Sequence, residues 1–69
     1  MKPQKSKDVR RFLESIGWVC LRNAKGSHEI WGEPDGSVKL SVPFGHKEVQ
    51  AGILTQLQNL GIEVPKEWK

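Results

Sequence analysis

Cysteine is almost missing from this chain of 69 residues. Cys20 stands alone, so no internal disulfide can form and no second thiol is available for a redox or zinc pair. It is expected to pack as a small core residue in a protein kept in a reducing compartment. Long hydrophobic runs are also lacking. No stretch approaches the roughly 20 apolar residues that cross a bilayer, and the N-terminus has no apolar secretory segment, so a soluble, cytoplasmic protein is expected. Repeats, low-complexity tracts and linkers are absent. At this length one domain over residues 1–69 is expected, with a short N-terminal arm 1–5 and a short tail 62–69. The acids Asp8, Glu14, Glu29, Glu33, Asp35 and Glu48 are scattered, and no His or Cys stands at ligand spacing, so neither a metal site nor a cofactor is expected.

What is present suffices for a compact core. Apolar residues make up 36% and include Trp18, Trp31 and Trp68, which excludes a disordered tail. The net charge of +3 is unevenly spread: Met1 to His28 holds seven Lys/Arg against two acids, whereas the remainder holds four lysines against six acids. A basic end of this kind suits a polyanion such as RNA, because phosphate contacts supply most non-specific nucleic-acid affinity. It equally suits a solvated helix face.

The patterning predicts α-β-β-β-α. Val9, Phe12, Leu13 and Ile16 recur at helical spacing, with Ser6 as N-cap, Asp8 in the first turn and Gly17 as the stop. Trp18 to Arg22 reads as a strand, Asn23 to Gly26 as a hairpin connection, and His28 to Trp31 as the return strand. After the Glu33-Pro34-Asp35-Gly36 turn, Val38, Leu40 and Val42 alternate with polar residues in a third strand ended by Pro43. Ile53, Leu54, Leu57 and Leu60 predict a second helix from about Gln50, stopped by Gly61, and Trp68 is expected to fold back onto the core. The simplest α+β arrangement is a three-stranded antiparallel sheet with both helices on one face, the layout of a double-stranded RNA-binding domain. Order alone does not establish function.

His28 draws most attention, because it opens a strand directly after a basic turn. An unperturbed imidazole has a pKa of about 6.5 and both takes and gives a proton near neutral pH. It also serves as an ordinary polar residue at a strand edge, and spacing does not separate the two.

Gly26-Ser27-His28, the turn Pro34-Asp35-Gly36, Val42-Pro43 followed by a His/Lys segment, and Gly52-Ile53-Leu54 through Leu60-Gly61-Ile62 together resemble the HicA family, small toxins of toxin–antitoxin pairs. The resemblance spans roughly Ser6 to Ile62. It implies an endoribonuclease that cuts mRNA on a double-stranded-RNA-binding-like fold. It also implies a HicB antitoxin as partner: the toxin is a monomer when free and part of a hetero-oligomer when neutralised. The family's catalytic histidine maps onto His28. Pro43-Phe44-Gly45-His46-Lys47 departs from the family pattern, with its histidine adjoining the lysine, so no role passes to His46.

On that reading His28 is a general base or acid in metal-independent RNA cleavage. Lys25, Lys39 and Lys47 are candidates to neutralise phosphate, Lys5, Lys7, Arg10 and Arg11 to clamp the RNA backbone, and Ser27 to donate to a phosphate oxygen. Strand alternation turns Glu29 away from His28, and Glu29 is expected to be a solvated strand residue. Trp31 and Phe44 are expected in the core rather than stacked on bases. The competing reading is a non-catalytic RNA-binding module of the same fold.

Overall fold

A computed structural model describes residues 1–69. Its elements are β1 (Gln4–Lys5), α1 (Ser6–Ser15), β2 (Val19–Asn23), β3 (Glu29–Gly32), β4 (Lys39–Val42), β5 (Glu48–Val49), α2 (Ala51–Asn59) and a closing 3₁₀ turn, Lys66–Trp68. Strands β2, β3 and β4 form the expected antiparallel sheet in that order, with Trp31 opposite Leu40 and Glu29 opposite Val42. Alternation therefore puts Glu29, Trp31, Leu40 and Val42 on one face. That face meets both helices: Val9 and Leu13 of α1, Leu54 and Leu57 of α2, and Trp31 and Val42 belong to one cluster of 11 buried apolar residues. Ile30, Ser41, Lys39 and Arg22 take the opposite face.

The end of α1 explains its packing. Gly17 adopts φ +89°, the Trp18 N–H bonds to the Leu13 carbonyl at 3.0 Å, and the Gly17 N–H bonds to the Glu14 carbonyl at 3.1 Å. This double closure ends the helix and returns the chain so that Trp18 joins Leu13 in the core cluster, both fully buried. Ile16, expected on the buried stripe, is 37% exposed, and Leu60 after α2 is 42% exposed. Each sits at the cap position where the chain turns away, beyond the last packed turn.

Three further expectations are corrected. Ser6 is not an N-cap: it is the first residue of α1, and its hydroxyl donates instead to the His46 carbonyl at 2.5 Å. Cys20 is exposed: it lies on the edge strand β2, beside a bulge between Cys20 and Arg22 that shifts the register. Glu29 is not a free surface acid, as described below. In the arm 1–5, Gln4 and Lys5 pair antiparallel with Val49 and Glu48 as a second, two-stranded sheet. Trp68 folds back as expected, 5% exposed, with its ring edge-on to Phe12 at 5.1 Å and its carbonyl bonded by the Lys2 N–H. Trp31 and Phe44 lie in the core, edge-on to each other at 5.6 Å.

Candidate nucleic-acid interface and active site

Three segments far apart in sequence are joined at one end of the sheet. The β1–β5 pairing lays the start of α1 against the loop that leaves β4, where the Ser6 N–H bonds to the Lys47 carbonyl at 2.8 Å and the Ser6 hydroxyl to the His46 carbonyl. That loop in turn touches the β2–β3 hairpin, where the Gly45 N–H bonds to the Ser27 carbonyl at 2.9 Å. The approach is close enough that a Cβ on Gly45 would fall 1.9 Å from Ser27 Cβ, so only glycine fits.

The result is an open groove of about 910 Å³ lined by Lys5, Lys7, His28, His46, Lys47 and Glu48, among others. Three ammonium groups face one carboxylate there, which favours an anion. His28 is exposed and immediately precedes β3. It shares parity with Ile30, on the face turned away from the helices, so no packing against the core draws the ring inward. His46 is exposed as well, and its Nε2 lies 3.4 Å from Ser27 Oγ, a long contact whose donor depends on the imidazole tautomer.

The remaining basic residues divide. Lys25 is exposed in the β2–β3 turn and Lys39 on the outer sheet face, and neither lines the groove. Arg11 lines a smaller hollow of about 440 Å³ on another side, beside Asp8 and Glu67. Arg10, a candidate backbone clamp by sequence, is half-buried and engaged within the protein. Its guanidinium reaches both Glu29 carboxylate oxygens at 3.3 and 3.4 Å and lies over the Phe44 ring at 4.6 Å and the Trp31 ring at 5.6 Å. Glu29 also accepts the Trp31 indole N–H at 2.9 Å. That indole bond, then the Arg10 guanidinium, hold the Glu29 carboxyl below its ordinary range against the opposing effect of desolvation. The cluster ties α1 to β3 directly behind His28.

Of the residues read from sequence, the groove gathers Lys5, Lys7, His28 and Lys47; Ser27 does not line it and meets it only through the 3.4 Å contact of its Oγ with His46 Nε2. Sequence reasoning gave no role to His46, because its offset from the family pattern hid that the loop delivers it to the same place. Glu48 was read only as a scattered acid, since a two-residue strand has no periodicity to signal it.

The family model for the HicA toxin of bacterial toxin-antitoxin systems matches residues 6–63. This chain belongs to the HicA toxin family. The match takes in the groove's His28, His46 and Lys47 and omits Lys5 in the paired arm. No curated protein and no solved structure matches the chain. As a HicA-family member it is a toxin of a toxin–antitoxin system and has an antitoxin partner. No helix is long and apolar enough to cross a membrane.

Proposed function

We propose that this HicA-family toxin is an endoribonuclease that cuts messenger RNA by metal-independent proton transfer through His28, and that a HicB-like antitoxin silences it by covering the groove. One observation carries the reading: an exposed imidazole stands on a groove that three lysines make cationic. Lys5, Lys7 and Lys47 hold the phosphates beside the scissile bond by charge, as compact ammonium donors do. Ser27 donates to a phosphate oxygen, and Lys25 and Lys39 guide the strand where it leaves the groove. Arg10 and Arg11 drop out of the clamp, the first held by Glu29 and two rings, the second turned to a different hollow. The free toxin acts as a monomer in the cytoplasm, and the antitoxin complex is a hetero-oligomer.

Incubation of the purified chain with a long RNA in the presence of a strong chelator tests this. The intact chain cuts the RNA, and His28→Ala lowers the rate about 10²- to 10⁴-fold, the usual contribution of a positioned acid or base, with its circular dichroism unchanged. Binding without cutting would instead make the protein an RNA-holding module. Full cleavage by a folded His28→Ala protein would remove His28 from the mechanism.

A further inference from the structure

We infer that His46 is a second catalytic residue, paired with His28 as acid and base across one phosphodiester; this rests on the ribonuclease reading above. The two imidazoles come from different loops, yet both line the same groove. His46 is aimed there by its main chain alone. Its carbonyl accepts the Ser6 hydroxyl at 2.5 Å, its N–H bonds to the Pro43 carbonyl at 3.3 Å, and the flanking Gly45 and Lys47 are tied to Ser27 and Ser6. The ring is exposed and fills no part of the core, so packing does not explain a histidine at this position. Its side-chain hydrogen-bond contact is with Ser27 Oγ, one residue before His28 in the chain.

Cleavage of RNA by its own 2′-hydroxyl needs two proton transfers on opposite sides of phosphorus. A neutral imidazole takes the 2′-hydroxyl proton as the O2′–P bond forms. The P–O5′ bond breaks, its electron pair goes to O5′, and O5′ takes a proton from an imidazolium. The products are a 2′,3′-cyclic phosphate and a 5′-hydroxyl, and neither water nor a metal is consumed. A single imidazole would have to reach both oxygens in turn. Two imidazoles flanking the phosphate divide the work, and the protons gained and lost balance across the pair. The charged groups that share the groove with the pair are Lys5 of β1, Lys7 of α1, Lys47 of the loop and Glu48 of β5. The three lysines meet the non-bridging oxygens.

The test uses the purified full chain and a short RNA oligonucleotide, with kcat/KM followed between about pH 5 and 9. The intact protein gives a bell-shaped profile and 2′,3′-cyclic phosphate ends, and an oligonucleotide 2′-deoxy at the cleaved position stays whole. His46→Gln and His46→Asn each cut about 10²- to 10⁴-fold more slowly and lose one limb of the bell, while His28→Gln loses the other. Both His46 variants keep the main-chain bonds that fix the loop, and circular dichroism verifies the fold. Folded His46 variants with the full bell and rate, beside an inactive His28→Gln, would overturn the pair and leave the ribonuclease standing. Cutting of the 2′-deoxy substrate would overturn the pair as well. An intact protein that does not cut RNA would overturn the ribonuclease reading and the pair with it.

Discussion

Gly45→Ala is a one-carbon change that should separate the two halves of the site. The added Cβ would lie 1.9 Å from Ser27 Cβ and 2.8 Å from Ser27 Cα. Carbon atoms rest at about 3.5–4.0 Å, so the loop must withdraw by roughly 2 Å. Withdrawal breaks the Gly45 N–H bond to the Ser27 carbonyl at 2.9 Å. One main-chain bond is worth about 1 kcal/mol, and with the strain of overpacking the loss of stability should be about 1–3 kcal/mol. Because Gly45 is not among the glycines with positive φ, alanine suits its backbone and the effect is steric. The same movement carries His46 from Ser27 and His28, and a 1 Å misplacement at a reacting centre costs on the order of 10²-fold in rate. Gly52→Ala is the matched control. It lies in α2 with nothing within 4 Å of a new Cβ, so it should stabilise by about 0.5–1 kcal/mol and leave cleavage alone. Urea melts give the stabilities, and RNA cleavage under conditions where every variant is folded gives the rates. If Gly45→Ala matches the parent in both, the loop contact does not hold the site together.

Four other perturbations probe the scaffold. Arg10→Ala removes the ion pair with Glu29 and the contact with two rings; with the Arg10 side chain 40% exposed, urea denaturation should show a loss of about 1 kcal/mol. The depressed Glu29 pKa stabilises the fold at pH above the ordinary value of 4.5, and that contribution is lost as pH falls through the lower folded value, so Glu29→Gln should flatten the acid limb of a stability-versus-pH curve. Cys20 is exposed, so a thiol reagent should label the folded protein rapidly and Cys20→Ser should change stability by less than about 0.5 kcal/mol; labelling only after unfolding would contradict the edge placement. Trp68→Ala strips the tail from Phe12 and should cost about 3–5 kcal/mol, a large share of the total for a domain this small, read as a lowered Tm.

The helices, the main sheet and their order are legible in the amino-acid pattern, because each carries a signal local to its own residues. Val9, Phe12 and Leu13 repeat at helical spacing, Val38, Leu40 and Val42 alternate, and Gly17 and Gly36 take the positive φ that ends a helix or reverses a strand. The sequence also offered His28 and the surrounding lysines, since residue type and a short motif are enough to suggest proton transfer and phosphate binding. Which of those residues meet is set by how the segments pack. Lys7 and Arg10 are three residues apart on one helix, yet the first lines the groove and the second is held by Glu29 over two rings. The arm's pairing with β5 and the passage of Gly45 over Ser27 bring His46 to the groove that His28 lines, 18 positions away in the chain, a juxtaposition set by contacts between distant segments. Local periodicity reports the face of an element toward its own core, whereas a groove belongs to several loops at once and appears only when the chain has closed around them.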